Sequence, residues 1–527
     1  MRISRLNLVF LLHLAIFVFV VMGILPRMIV LYWTVALLIY ILTVPPEESA
    51  LFFVRSIPLF IAIPLTATFD NFNMWRIISL AIFVRWALPK ISNYQSRKGA
   101  PRSPTGLFGF LISKQVPILK NKILKSRVFI ILLFLLIFAI LSVFAAADKT
   151  LAIKRVIYFA NLSLIGFVIN GLLARQADFR QKVIKNIAIP IILVTVIGFI
   201  QLLTTYLMDI FQFVDYWTFT VEKNLFGTGW ANIALKANTW FAYFGDQLSL
   251  RMFSIFPDSH SFPIFILLGL PAVFALAVSR VIAKGGTVKT MMRERGSWLV
   301  VFVPPIFLAA ILTGTRGIWA ASVGVVILAI GLIWHMKRKY SDLRCPNILK
   351  YVSLYLILFF MLFAPAYALI ASPQFLVSKS DSALFKKRVR SIIDIAETSN
   401  KERIRIWKLS LVSIKKHPLL GVGIGNFPVV LNQDLSLTRA GSSAHNLYLQ
   451  IAAEMGLVAL AVTLYFLWLV FKRAYQKFIS SDNPFFATYY SAALLFLPWV
   501  LIYSLTDVAL FDERAFLMFV SITALIL

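Results

Sequence analysis

His445 stands between a long polar stretch and a strongly apolar one, and Asn446 follows it directly. An imidazole has an ordinary pKa of about 6.5, so it can accept a proton near neutral pH and act as a general base. The apolar stretch that follows predicts a helix that enters a membrane. The sequence therefore puts a candidate base at a membrane boundary.

Two arginines stand at the edges of apolar runs, where a charge is costly unless it is paired or functional. Arg251 precedes one such run, and Arg316 lies between two others. A planar guanidinium group can bind two phosphate oxygens at once, so such arginines could hold a pyrophosphate without a metal ion. Ion pairing with Asp258 or Asp246 is the alternative, and the sequence leaves both readings open.

Composition sets the class of protein. The 527 residues are 60% hydrophobic and 14% charged, and the mean hydropathy is +0.85, which is too apolar for a soluble multidomain protein. The net charge of +30 could indicate a nucleic-acid partner, but lysine and arginine cluster in short connectors between apolar runs. That pattern is typical of membrane topology signals, so we expect no nucleic acid. Cys345 is the single cysteine, which rules out a disulfide within the chain.

We predict an all-α, polytopic integral membrane protein with about 12–14 transmembrane helices, because a span needs roughly 17–25 apolar residues. Two long loops, 209–261 and 372–445, are expected on the outer side. The basic connectors all fall on the inner side by this count, at 90–127, 174–186, 284–296, 336–350 and 472–484. The segment 147–155 carries Lys149, Lys154 and Arg155 on the outer side, against the rule. We divide the chain into a bundle at 1–250, a core at 251–471 and terminal helices at 472–527.

The second outer loop contains an amphipathic pattern. Ile404, Trp407, Leu411 and Ile414 recur at helical spacing with lysine and arginine between them, which predicts a helix that rests on the membrane or on the bundle. The glycine-rich run 421–426 then predicts a tight turn of permissive backbone.

Three stretches together resemble the O-antigen ligase and polymerase superfamily. They are TGTRGIW at 313–319, RIW at 405–407 leading to HPLLGVGIGNF at 417–427, and the His-Asn pair at 445–446 followed by Gly456. The ligase pattern is His, then Asn, Ser or Gln, nine residues, Gly, two residues, then Gly, Thr or Tyr. The last position here is Ala459, a departure that bears on the ligase subtype. The resemblance covers roughly residues 250–460.

The resemblance implies transfer of a glycan from an undecaprenyl-pyrophosphate donor to an acceptor hydroxyl, with inversion and without a metal or cofactor. In ligases the acceptor is lipid A-core. The site would face the periplasm from a multi-pass protein of the bacterial inner membrane, among membrane lipids. By the same analogy His445 would deprotonate the hydroxyl, and Arg251, Arg316 and Arg405 would hold the pyrophosphate, with Arg403 as the alternative to Arg405.

Two further residues could contact the glycan. Asn446 follows the candidate base, and His260 could either contact a sugar or be a hydrogen-bonded core residue.

Other functions remain open at this stage. Within the superfamily they are a polymerase that adds lipid-linked repeat units to a growing polysaccharide, and a protein O-oligosaccharyltransferase. A metal-dependent membrane glycosyltransferase would need outer carboxylates, of which the early connectors offer mainly Asp70. A lipid or glycan transporter would use charges inside the membrane to mark a permeation path.

Overall fold

The protein is described from a computed structural model. The structure describes residues 4–65, 72–88, 127–176, 178–237, 239–244, 247–283, 297–340, 345–375, 398–433 and 443–527. Several predicted features therefore lie outside the described residues, namely Asp70, Asp246, the basic connector 284–296 and nearly all of the connector 90–127.

The described chain is almost entirely helical. The first part contains α1 (Arg5–Val21), α2 (Ile29–Thr43), α3 (Pro46–Ser56), α4 (Met74–Ala87), α5 (Arg127–Ala145), α6 (Lys149–Leu173) and α7 (Phe179–Thr204). A loop region follows, with α8 (Ile210–Asp215), a π-helical segment (Tyr216–Glu222), α9 (Lys223–Phe226), α10 (Thr228–Ala237) and the antiparallel pair β1 (Phe241–Phe244) and β2 (Gln247–Leu250).

The second part contains α11 (Ser261–Ala283), α12 (Val303–Leu312), α13 (Arg316–Lys339), α14 (Cys345–Met361), α15 (Phe363–Ala371) and α16 (Thr398–Lys416). It closes with α17 (Leu447–Ile479), α18 (Pro484–Tyr503) and α19 (Glu513–Ile526). Short 3-10 turns occur at Ile57–Leu59, Ser297–Phe302, Phe427–Leu431 and Ala509–Phe511.

Eight helices in the described part of the chain are long and apolar enough to cross a membrane. Shorter apolar helices occur at Arg5–Val21, Ile29–Thr43 and Leu299–Leu312. The all-α, polytopic class predicted from the sequence is confirmed. The total of about 12–14 crossings stays a prediction, because it depends on how many of the shorter helices also cross.

The helices share two ends. At one end, called the site end below, α11, α13 and α17 begin while α7, α12 and α18 end. Contacts near the chain's beginning identify the other end, where Arg5 pairs with Glu48 at 2.8 Å and Arg55 donates hydrogen bonds to Asn7 and Asn186 at 2.7 Å each. Lys337, Arg338 and Lys339 finish α13 at that other end, as the topology rule requires.

Helix α11 is the centre of the bundle. In its apolar span 94% of the residues are buried, whereas in the span of α5 only 17% are buried. Aromatic rings fill the space between α11 and α18, with Phe496 stacked on Phe274 at 5.4 Å and on Trp499 at 5.9 Å between ring centroids. Because α11 and α18 are fixed against each other in this way, the loops at their site ends are held close together.

Helix α17 is broken at Gly456, where φ is +89° and ψ is 171°. The break leaves backbone groups without partners in the helix, and the loop after α16 supplies them. The Val422 N–H donates to the Ala453 carbonyl at 2.8 Å, and the Leu457 N–H donates to the Pro418 carbonyl at 2.8 Å. The loop therefore supplies the hydrogen-bond partners that the backbone of α17 loses at the break.

Glycine is required at this junction. A Cβ on Gly456 would lie 2.0 Å from the Leu419 carbonyl oxygen, and a Cβ on Gly421 would lie 2.4 Å from the Ala453 oxygen. Gly421, Gly423 and Gly425 all have positive φ, as the tight turn predicted at 421–426 demands. The close approach of the two backbones thus explains both the glycine-rich run and the isolated glycine.

Candidate active site

Arg251 is held in place by backbone and side-chain contacts. Its Nε donates to the Thr313 carbonyl at 3.0 Å, and its Nη2 lies 3.4 Å from both Thr315 Oγ1 and His260 Nε2. Gly314 has φ +62°, and a Cβ there would lie 3.3 Å from Arg251 Cγ. The Thr-Gly-Thr segment at 313–315 therefore holds the side chain of Arg251 in place. The next residue in the chain is the second arginine, Arg316.

Arg251 and Arg316 are electrostatic neighbours. Burial lowers the pKa of Arg251, and the positive charge of Arg316 acts in the same direction, while the carboxylates of Asp258 and Asp507 oppose it. Two guanidinium groups near each other repel, and an anion that both could bind relieves the repulsion. This pair is suited to a phosphate group.

Arg316 is the first residue of α13 and enters the site through a tight helix contact. A Cβ on the next residue, Gly317, would lie 2.4 Å from Thr506 Oγ1 and 2.8 Å from the ring of Tyr503. The hydroxyl of Thr315, just before the helix, donates to the Ser259 carbonyl at 3.0 Å. Helix α13 can therefore approach α18 only because residue 317 has no side chain.

His260 lies between a carboxylate and an arginine. Its Nδ1 is 3.1 Å from Asp507 Oδ2 and 3.0 Å from the Tyr503 hydroxyl, while its Nε2 faces Arg251. Asp258, considered above as an ion-pair partner, accepts hydrogen bonds at 2.8 Å from the backbone N–H groups of His260 and Ser261. Asp258 thus caps the start of α11, and His260 is a hydrogen-bonded residue at the centre of the cluster.

Asp507 is the residue that the sequence analysis missed. It is buried, and its Oδ1 accepts hydrogen bonds from the backbone N–H groups of Val508 at 2.8 Å and Ala509 at 2.9 Å. Burial would raise the pKa of Asp507, but His260 above all, with His445 and Arg403, holds it below the ordinary value. The group is therefore a carboxylate. The sequence feature that could have identified Asp507 is an acidic residue directly after an apolar helix, on the predicted outer side.

The backbone on both sides of His445 is fixed. Before it, Ala444 donates to Gln450 Oε1 at 2.8 Å and accepts from Trp407 Nε1 at 3.0 Å. After it, Asn446 caps α17 by accepting from two backbone N–H groups at 3.0 Å each, and Leu447 donates to the Ser504 carbonyl at 2.8 Å. Asn446, expected as a glycan contact, has this capping role in the structure.

His445 itself has φ +44°, a left-handed conformation that is uncommon for a residue with a side chain. Burial lowers the pKa of His445, Asp507 opposes the shift, and Arg403 and His260 add to it. The neutral imidazole, which is the form that accepts a proton, therefore predominates at neutral pH. The strained backbone at this position is consistent with a functional constraint.

The two arginines of α16 point in different directions. Arg405 lies on the surface, with its side chain 71% exposed and its Nη1 3.3 Å from Glu402 Oε1. Arg403 acts electrostatically on Asp507, His445 and Tyr503. A helix turns by about 100° per residue, so positions 403 and 405 are about 200° apart and only one can face the cluster. The structure brings Arg403, rather than Arg405, to the other site residues.

The cluster is dominated by cations. Among the described residues, no group of three or more His, Cys, Asp or Glu side chains could hold a metal ion. The Asp507 carboxylate instead interacts with two histidines, Arg403 and Arg251, and Arg316 is the neighbour of Arg251. Such a site can bind a diphosphate by charge and take a proton with an imidazole.

Comparison with known proteins gives a family for part of the chain. Residues 300–464 match the model of a family described as O-antigen ligase, whereas no curated protein matches the chain. The matched segment contains Arg316, Arg403 and His445 and includes Gly456, at which α17 breaks. Through this segment, which is about a third of the chain, the protein is similar to the O-antigen ligase family.

Proposed function

We propose that the protein transfers a glycan from an undecaprenyl-pyrophosphate donor to an acceptor hydroxyl, as a ligase-like, inverting and metal-independent glycosyltransferase. The family indicates a membrane glycosyltransferase of ligase or polymerase type. The observations that support the finer proposal are that a neutral His445 and Arg403 act electrostatically on the buried Asp507 carboxylate, and that His260 links this carboxylate to Arg251, the neighbour of Arg316.

In this proposal His445 is the general base. Its neutral imidazole takes the proton of the acceptor hydroxyl while the oxygen attacks the anomeric carbon of the donor. The bond between that carbon and the pyrophosphate oxygen breaks on the opposite side, and its electron pair leaves with the lipid pyrophosphate. The proton ends on His445, where the nearby negative charge of Asp507 stabilises the imidazolium.

The arginines act on the leaving group. Arg251 and Arg316 would bind the pyrophosphate oxygens and stabilise the charge that develops as the glycosidic bond breaks. We assign the third position to Arg403 instead of Arg405, because Arg403 interacts with Asp507 and His445. Pyrophosphate is a good leaving group, so charge stabilisation and positioning can supply much of the catalysis without a general acid.

Asp507 and His260 would act as positioning residues. The Asp507 carboxylate connects with His260 at 3.1 Å, and His260 faces Arg251 in turn. This chain of contacts would fix the orientation of Arg251 before the donor binds. His260 could also contact the glycan, as could Asn446, although the Asn446 amide oxygen already accepts two backbone hydrogen bonds.

We further propose that the site end faces the periplasm from the bacterial inner membrane. The basic last turn of α13 at the other end supports this orientation. The division into 1–250, 251–471 and 472–527 stays a prediction. Tyr503 and Asp507 come from the third of these parts, so the proposed site draws on two of them.

The acceptor distinguishes the remaining candidates. A lipid A-core acceptor would make the protein a ligase, which the spacing of His445 and Gly456 favours. A lipid-linked repeat unit would make it a polymerase, which the departure at Ala459 leaves open. A protein hydroxyl would indicate an O-oligosaccharyltransferase, and absence of transfer to any of these would favour a lipid or glycan transporter.

The test uses the purified full chain with an undecaprenyl-pyrophosphate glycan, with and without lipid A-core. Appearance of the glycan on lipid A-core would support the ligase, and a longer glycan on undecaprenyl pyrophosphate would support the polymerase. His417→Ala is a matched control for His445→Ala, because His417 is exposed and lies on the loop after α16. If neither product forms with the wild-type chain, the proposal is wrong for these acceptors.

A further inference from the structure

The last two turns of α16 and the loop after it carry an exposed surface that the proposed reaction does not use. We call it the lysine–leucine patch and define it as Leu411, Val412, Lys415, Lys416 and Leu419. The three apolar side chains are 57%, 53% and 66% exposed, and both lysines are exposed as well. Large apolar side chains this exposed, flanked by lysines, are typical of a membrane-contacting surface.

The opposite face of α16 already rests on the bundle. Ile406 and Ile414 pack in a buried cluster with Ala444, Ala452 and Ala453. The sequence predicted that α16 rests on the membrane or on the bundle. One face does pack on the bundle, so the membrane alternative applies only to the opposite face. The lysine–leucine patch is the face that the bundle does not cover.

The depth of the patch follows from the break in α17. The Leu457 N–H donates to the Pro418 carbonyl at 2.8 Å, so the loop that carries Leu419 contacts the start of the unbroken part of α17. From Leu457 to Phe471, the last residue before the charged Lys472, that part rises about 22 Å at about 1.5 Å per residue. This length covers most of the hydrocarbon thickness of about 30 Å. The loop that carries Leu419 thus lies at the site end of an apolar span.

The patch is also continuous with the lipid-facing side of α17. Leu457, Val458, Leu464, Tyr465 and Trp468 are exposed and follow one another along one side of this helix. Leu419 lies beside the first of them, because its backbone carbonyl packs against Gly456 and the preceding carbonyl, of Pro418, accepts from the Leu457 N–H. An apolar surface that continues a lipid-facing stripe fits lipid at the same boundary.

The charged residues at the site end include several lysines and arginines, although the positive-inside rule disfavours Lys and Arg on the outer side of the membrane. The loop after α16 lies against the start of α6, which supplies Lys149, Lys154 and Arg155. A Cβ on Gly425 would lie 3.4 Å from Arg155 Cβ. Two acids lie near this contact: Asp148 caps α6 by accepting from the Leu151 N–H at 2.9 Å, and the buried Glu454 acts on Arg155 and accepts from the Phe427 N–H at 3.2 Å, so neither is near the lysines of the patch. Charge complementarity therefore calls for an anionic partner.

We propose that the lysine–leucine patch docks onto anionic phospholipid headgroups at the site end of the membrane. Leu411, Val412 and Leu419 enter the boundary between headgroups and acyl chains, and the Lys415 and Lys416 ammonium groups bind lipid phosphates. This docking fixes the height of α16, and with it Arg403, above the bilayer. It does not depend on which glycan or acceptor the protein uses.

The test measures the depth of Val412 in nanodiscs. Cys345→Ser removes the native thiol, Val412→Cys introduces one at an exposed position, and a fluorophore attached there is exposed to lipids that carry a spin label near the headgroup. We expect strong quenching in phosphatidylglycerol discs and at least twofold weaker quenching in phosphatidylcholine discs. No quenching in either disc, or equal quenching in both, would overturn the proposal.

A charge-matched pair of variants completes the test. Lys415→Gln with Lys416→Gln should remove the difference between the two lipids, because it removes the phosphate-binding groups. Lys337→Gln with Lys339→Gln removes the same charge from exposed positions at the other end of α13 and should leave the difference unchanged. If both double variants behave alike, the attraction is not local to the patch and the proposal is wrong.

Discussion

The carboxylate of Asp507 and the imidazole of His260 lie 3.1 Å apart, and they join the loop after α18 to the start of α11. The two residues are far apart in sequence, and a shared aromatic core holds their helices together. Because His260 also faces Arg251, one carboxylate orders a chain of side-chain contacts that leads through His260 to Arg251 and the proposed pyrophosphate site.

His445→Ala should lower transfer by about 10²–10⁴-fold, the usual contribution of a general base. The variant should fold normally, since the neighbouring backbone is fixed by Ala444 and Asn446 rather than by the imidazole. Turnover by the purified variant, with its melting temperature as the folding control, measures the effect. Activity equal to that of His417→Ala would exclude His445 as the base.

Arg403→Ala should reduce transfer strongly, on the order of 10²-fold, whereas Arg405→Ala should remain close to wild type. The two substitutions remove the same group from one helix, but Arg403 alone of the pair acts on Asp507 and His445. Steady-state kinetics of the two variants side by side make the comparison. Equal losses, or a loss confined to Arg405→Ala, would contradict the assignment.

Arg316→Lys should also be severely impaired, since an ammonium group cannot reproduce the bidentate geometry of a guanidinium. Transfer should survive treatment with EDTA, because the arginines are expected to carry the charge of the pyrophosphate. Wild-type turnover of Arg316→Lys would make this arginine structural. Loss of activity in EDTA that Mg²⁺ or Mn²⁺ restores would revive the metal-dependent class.

Asp507→Asn should shift the pH profile. Transfer requires neutral His445, so the rate rises with pH through the pKa of His445 and levels off above it. The Asp507 carboxylate raises the pKa of His445 against the larger lowering effect of burial. Removing the negative charge should therefore move the acidic limb to lower pH and reduce the plateau rate, since the imidazolium loses its stabilisation. An acidic limb that moves to higher pH would contradict this role.

Gly456→Ala should destabilise the protein by about 1–3 kcal/mol or more, since alanine is strained at φ +89° and its Cβ would meet the Leu419 carbonyl oxygen. Thermal unfolding in detergent measures the change. Gly331→Ala is the matched control, because Gly331 lies within α13 and a Cβ there meets nothing within 4 Å. Equal melting temperatures for the two variants would remove the steric argument.

The sequence predicted the class of fold, the amphipathic helix and the tight glycine turn, since each depends on local pattern. It also singled out Arg251, Arg316 and His445, because charges at the edges of apolar runs are costly and stand out. It did not find Asp507, since a single acid after an apolar helix resembles an ordinary connector until α18 is packed against α11. The choice between Arg403 and Arg405 likewise required the orientation of α16.

The break at Gly456 has a consequence for how this motif can vary. Residues 447–455 form a rigid spacer between the base and the point where the loop clamps α17, and each residue of a helix adds about 100° of rotation. Inserting or deleting one residue of this spacer before Ala453 would turn His445 away from Asp507 while leaving the backbone contacts of Ala453, Gly456 and Leu457 with the loop unchanged. The number of residues between His445 and Gly456 thus sets the angle at which His445 projects from the axis of α17. We expect this number to be more tightly constrained than the identities of the residues themselves.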